Sequence, residues 1–169
     1  MGIIGSWEGY TTSPLYLFNN GWTNNLQTKG MSITANSSGG YFVESAINSS
    51  VTSLRFTCRA FNGALCMARL NQAVNLTNYN YIRVKGKTLN CFRMGVGIST
   101  STSISSVDNL VSKNYSTTAY DSLTELSPLL NISNITGNYY IYLYITGHSS
   151  RDGGGGVGNS FSQIWLTTV

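Results

Sequence analysis

The sequence predicts an all-β fold, an antiparallel jelly-roll β-sandwich, on three observations. Short segments rich in β-branched and aromatic residues recur along the chain, bounded by turn signals roughly every 8–12 residues. Helix-forming character is confined to residues 120–130, where Pro128 limits it to a turn or two. At 169 residues the chain is long enough to bury one core without staples, which favours a single domain. Only 9% of the residues are charged, far below the ~25% usual in soluble proteins. Asn, Ser, Thr and Gly supply the polarity instead, a surface that suits an extracellular or particle-borne β protein better than a cytosolic enzyme.

Residues 1–28 read as an irregular N-terminal arm, with Trp7, Tyr10, Tyr16, Phe18 and Trp22 set among Gly, Asn, Thr and Pro14. Aromatics without periodicity suggest a segment that packs over something. Residues 29–169 form the sandwich in this reading. Residues 31–36 and 41–47 alternate as strands on either side of the turn Ser37-Ser38-Gly39-Gly40. A hairpin is expected over residues 53–70, because Asn62-Gly63 is a strong two-residue turn signal. It would bury Leu54, Phe56, Cys58, Leu65 and Met67 on one face. In that register Cys58 and Cys66 point to opposite faces, so they and Cys91 are expected to be reduced thiols.

Further along, Ile82 and Val84 point inward from one strand, and Phe92, Met94, Val96 and Ile98 from another. Residues 99–106, a Ser/Thr tract, are expected to be a loop, and residues 107–118 to hold one strand. Residues 139–146 look like a central strand. Tyr139, Ile141, Leu143 and Ile145 share the core face, and Tyr140, Tyr142 and Tyr144 form a row of rings about 6.6 Å apart on the other. Arg151, Asp152 and four glycines make a loop, and residues 161–169 close the chain as a strand. That strand faces inward with either Ile164 and Leu166 or Phe161, Trp165 and Val169. A short echo links Leu76-Thr77-Asn78-Tyr79-Asn80-Tyr81-Ile82-Arg83-Val84 with Ile135-Thr136-Gly137-Asn138-Tyr139-Tyr140-Ile141-Tyr142-Leu143, which reads as two similar sandwich corners.

Several strings carry a resemblance. These are Leu15-Tyr16-Leu17-Phe18-Asn19-Asn20-Gly21-Trp22, Val74-Asn75-Leu76-Thr77-Asn78-Tyr79, Leu130-Asn131-Ile132-Ser133-Asn134-Ile135-Thr136-Gly137-Asn138-Tyr139-Tyr140-Ile141, and Ser162-Gln163-Ile164-Trp165-Leu166. Together they resemble the carbohydrate-binding-module-like jelly rolls of tail, baseplate and capsid-decorating virion proteins in phages that infect Firmicutes. The resemblance implies a jelly roll and a virion address, reached from the host cytoplasm where the chain is made.

The candidate sites follow from chemistry. Sugar rings need flat aromatic faces flanked by neutral hydrogen-bonding groups. Tyr140, Tyr142 and Tyr144 supply the row; Trp165 or Tyr81 is the expected flank if their strands are neighbours, with Asn80, Arg83 and Gln163 as donors. The competing reading is that the row is covered by the arm, the Ser/Thr tract or a second subunit, since soluble proteins rarely expose large apolar patches. Interface is the first reading and bacterial surface glycan the second. Trp7, Tyr10, Phe18 and Trp22 are the expected particle-attachment residues, with other virion proteins and a homo-oligomer as partners.

Other chemistries are disfavoured. The net charge of +4 is scattered apart from Arg83, Lys85 and Lys87, which share a strand face and read as a solvated edge rather than a nucleic-acid groove. Residues 1–5 lack the make-up of an export signal, and no segment approaches the ~20 apolar residues of a membrane span. The six acidic residues do not cluster in the sequence, so neither a metal nor a cofactor is expected. His148, the single histidine, sits in a glycine-rich loop without an orienting carboxylate, and no carboxylate pair stands out for glycoside hydrolysis. The expectation is a non-catalytic surface protein that works by attachment. The alternative is a carbohydrate-binding protein with the tyrosine row as its platform.

Overall fold

The computed structural model describes residues 13–22, 30–37, 40–42, 54–58, 65–87, 93–115, 124–125, 129–146 and 159–169. They form thirteen strands: β1 (Leu15–Asn19), β2 (Met31–Ser37), β3 (Gly40–Phe42), β4 (Leu54–Cys58), β5 (Leu65–Leu70), β6 (Val74–Asn75), β7 (Tyr81–Lys87), β8 (Arg93–Ser99), β9 (Val111–Tyr115), β10 (Thr124–Glu125), β11 (Leu130–Asn131), β12 (Asn138–Thr146) and β13 (Asn159–Thr167). All pairings are antiparallel. Strands β10, β7, β13, β4 and β3 run in that order through one sheet, with β1 added beside β13 and β11 beside β7. The second sheet has the order β2, β5, β12, β8, β9, with β6 beside β12. This is the jelly-roll β-sandwich expected from the sequence.

The core lies between the sheets, and the alternation along each strand fills it. Ile141, Leu143 and Ile145 of β12 are wholly buried there, with Ile82 and Val84 of β7 and Met94, Val96 and Ile98 of β8. On β13 both readings of the inward face hold in part. The pairing with β7 shifts register between Phe161 and Gln163. That bulge lets Phe161 and Ile164 both enter the core while Trp165 turns outward.

Three expectations need correction. Part of the supposed arm is integral sheet: β1 pairs with β13 from Leu15 opposite Leu166 to Asn19 opposite Gln163. Asn20, at φ 51°, then turns the chain so that Trp22 returns against Phe18, edge to face with ring centroids 5.0 Å apart. Residues 53–70 are not a hairpin, for β4 pairs with β13 and β3 while β5 pairs with β2 and β12. Asn62-Gly63 itself lies outside the described residues; β4 and β5 on either side of it belong to opposite sheets. As a result β5 faces the other way: Cys66, Ala68 and Leu70 fill the core, and Met67 points outward. The helical reading fails where residues 124–125 pair with Gly86 and Lys85 as a strand.

The corners that hold the echo pack together, but the turns that match lie at Asn75 and Asn131, so Leu76 corresponds to Ile132 rather than to the echoed Ile135. Asn75 and Asn131 each accept, through Oδ1, the backbone N–H two residues on, from Thr77 and Ser133. Each turn drives an apolar residue, Leu76 or Ile132, into the core. The corners join where Leu76 N–H donates to the Gly137 carbonyl and Gly137 N–H to Thr77 Oγ1. Gly137 sits at φ +95°, a conformation that favours glycine.

Candidate functional site

The two outer faces of the sandwich have different fates, and the difference decides what each can bind. The tyrosine row of β12 lies on the outer face of the second sheet, and the chain covers it with its own loop. Residues 100–110, with a 3-10 turn at Val107–Asn109, fold back between β8 and β9. Ile104, Val107 and Leu110 pack on Met67, Tyr142 and Tyr144, and these last three are fully buried. Tyr142 Oη donates to the Ser101 carbonyl at 2.6 Å. Arg69 Nε donates to the Thr102 carbonyl at 3.1 Å, and its guanidinium lies 4.8 Å over the Tyr140 ring.

The loop is built to lie there. Serine hydroxyls absorb its own backbone donors: Ser99 Oγ takes Ser101 N–H, Ser101 Oγ takes Ser103 N–H, and Ser106 Oγ takes Asp108 N–H. Gly97, paired with Tyr142 on one side and Ser112 on the other, leaves the room it needs. A Cβ at Gly97 would stand 2.9 Å from Leu110 Cβ. Burial pushes the Tyr142 phenol above its ordinary pKa of 10.0, against the opposing pull of a backbone hydrogen bond from Ile104 and the Arg69 charge, with Tyr140 adding to the rise.

The reading of Tyr142 and Tyr144 as a sugar platform or subunit interface is therefore corrected. Neither ring reaches solvent, because residues 100–110, the end of the Ser/Thr tract and its continuation, occupy the face, which is one of the three covers expected from the sequence. Tyr140 is half-buried under Arg69. Trp165, Tyr81 and Arg83 cannot flank this row either, since β13 and β7 belong to the opposite sheet. The attachment reading is corrected at Phe18 and Trp22, both core residues; Trp7 and Tyr10 lie outside the described residues.

On the outer face of the first sheet Trp165, Tyr81 and Arg83 come together. Trp165 on β13 stands between Tyr16 on β1 and Arg83 on β7, each its direct partner in register. The Tyr16 and Trp165 rings are near-parallel at 24° with centroids 5.8 Å apart, and the Arg83 guanidinium lies 5.7 Å from the Trp165 centroid. Arg83 also donates to the Val169 carbonyl at 3.1 Å, which fixes the guanidinium beside the indole. Neighbouring strands are ~4.8 Å apart, so the row spans roughly 10 Å across three strands.

Neutral amides adjoin the row. Gln163 Nε2 donates to Asn19 Oδ1 at 2.6 Å. Tyr81, opposite Thr167 and two residues from Arg83, continues the same face. Tyr16, Trp165, Arg83, Tyr81 and Gln163 are all half-buried, so part of each reaches solvent. On the other side of β1, an open cleft of about 400 Å³ is bordered by Leu15, Leu17, Gln72, Asn75, Asn78 and Tyr79.

Sequence reading named Trp165, Tyr81, Arg83 and Gln163 but attached them to the wrong sheet, and it missed Tyr16 and Asn19 as site residues. The alternation Leu15-Tyr16-Leu17 was the available signal. Among the described residues no group of three or more His, Cys, Asp or Glu is placed to hold a metal ion. No helix there is long and apolar enough to cross a membrane.

No protein-family model matches the chain, and no curated protein does. Solved structures do. The chain is similar to part of the glycoside hydrolase domain of Endo-D from Streptococcus pneumoniae R6, with a TM-score of 0.53 and 14% identity over 82% of this chain; it spans about a fifth (21%) of that one. It is also similar to a family 29 carbohydrate binding module, at a TM-score of 0.50 and 10% identity, over 92% of this chain and 88% of the module. A mutant of the module CBM29-2 aligns at a TM-score of 0.49 and 10% identity, over 94% and 93% of the two chains. At such identities the likeness establishes the β-sandwich fold.

Proposed function

We propose that this chain is a non-catalytic carbohydrate-binding β-sandwich, and that its platform is the Tyr16–Trp165–Arg83 row rather than the tyrosines of β12. The observation that carries the reading is this row of near-parallel rings, open in part to solvent and bordered by an amide pair. Aromatic carbon takes the apolar face of a sugar, while Gln163, Asn19 and Arg83 supply donors and acceptors to its hydroxyls. Holding Trp165 between two neighbours lowers the entropy it loses on binding. The module-like fold supports the reading. The virion address rests on the residue strings alone, and two of its four attachment residues are core.

The experiment is affinity electrophoresis through gels containing soluble polysaccharides. Trp165→Ala should weaken retention by roughly thirtyfold, the effect of losing a central aromatic anchor worth about 2 kcal/mol. Tyr144→Ala should act through stability alone. Retention of the Trp165→Ala variant equal to wild type on every polysaccharide that binds would refute the placement.

A further inference from the structure

β7 carries a cation at every second position from Arg83 to Lys87, and that spacing places all three on one face. The intervening Val84 and Gly86 are buried, so the cations lie on the outer face that presents Trp165. Register fixes their neighbours: on β13, Arg83 stands opposite Trp165, Lys85 opposite Gln163 and Lys87 opposite Ser160. Of the four outward positions of β7, Tyr81, Arg83, Lys85 and Lys87, three are basic.

Successive cations along β7 are about 7 Å apart, close enough to repel one another and to raise the local potential. A neutral glycan would gain nothing from that arrangement; an acidic one would. The cation row meets the aromatic row at Arg83, so a chain stacked on Tyr16 and Trp165 passes directly beside the positive strand.

Building on the carbohydrate-binding reading, we infer that the ligand is an anionic polysaccharide. Its sugar rings lie on the Tyr16–Trp165 strip, and its carboxylate or sulfate groups lie along Arg83, Lys85 and Lys87. Nucleic acid shares the charge but not the neutral, hydroxyl-rich faces that the amide-bordered strip suits.

The test measures affinity of the full chain for polygalacturonate, dextran sulfate, neutral galactomannan and single-stranded DNA. At about 0.1 M salt, polygalacturonate or dextran sulfate should bind at least about tenfold more tightly than galactomannan. That advantage should vanish near 1 M, where the screening length falls from ~10 Å to ~3 Å. The double variant Lys85→Gln/Lys87→Gln should lose about three- to tenfold in affinity for the acidic polymer while keeping its melting temperature, since both residues are partly solvated. Trp165→Ala should lose it as well. Preference for carboxylate over sulfate, or the reverse, identifies the group.

Galactomannan binding that depends on Trp165 but ignores Lys85 and Lys87, with no gain from acidic groups, overturns this inference and leaves the carbohydrate reading standing. Binding to every polysaccharide that ignores Trp165 overturns both. DNA bound as tightly as the best acidic polysaccharide also overturns the inference, because charge alone then accounts for the face.

Discussion

Replacing Tyr142 by Phe removes one oxygen from a fully buried ring and tests whether residues 100–110 truly belong on the second sheet. The hydroxyl donates to the Ser101 carbonyl at 2.6 Å and so ties the loop to β12. That bond contributes about 1 kcal/mol net, and the Ser101 carbonyl left behind regains some hydration at the part-buried rim. The loss should be about 1–2 kcal/mol. For a domain of this length that lowers the melting temperature by roughly 2–8 °C. Urea denaturation should show the midpoint falling with m unchanged, since the folded surface is the same.

Alkaline pH supplies a second readout. The folded phenol titrates above 10.0 while the unfolded one titrates near it, so above that pH the unfolded state gives up its proton first. The native state then binds more protons, and stability falls as pH rises from about 10 through the raised folded value. Tyr142→Phe should flatten that part of the curve. A variant within about 0.3 kcal/mol of wild type, with the same alkaline slope, would refute the covered-face argument.

Three further outcomes follow from the same packing. Gly97→Val should destabilise by about 1–3 kcal/mol in denaturant titration, because its Cβ alone would meet Leu110 Cβ at 2.9 Å. Phe18→Ala should cost about 3–5 kcal/mol, as expected of a core ring and not of an attachment residue on the surface. Gly137→Ala, at φ +95° with open space around it, should cost about 1 kcal/mol through backbone strain rather than contact.

The sandwich was legible because its strands alternate cleanly; Ile141, Leu143 and Ile145 declare a core face without any knowledge of the partner strands. What covers the other face was legible only as a choice among the arm, the Ser/Thr tract and a second subunit, because a period of two says that two faces exist and nothing about what lies on them. Ile104, Val107 and Leu110, spaced by three through the end of the Ser/Thr tract and just past it, were the trace of the cover. Asn62-Gly63 misled for a related reason. Turn chemistry is local, whereas the choice between a hairpin and a crossing between sheets is made by the strands that compete for each edge. The site suffered most, since Tyr16, Trp165 and Arg83 are brought together by pairings that join the two ends and the middle of the chain.

The central claim is that this row binds a polysaccharide, and equilibrium titration of wild type beside Trp165→Ala with the best-retained polymer tests it most directly. The account predicts saturable binding that the substitution weakens by roughly thirtyfold, with the melting temperature of the variant within a few degrees of wild type. Equal affinities for the two proteins would contradict it.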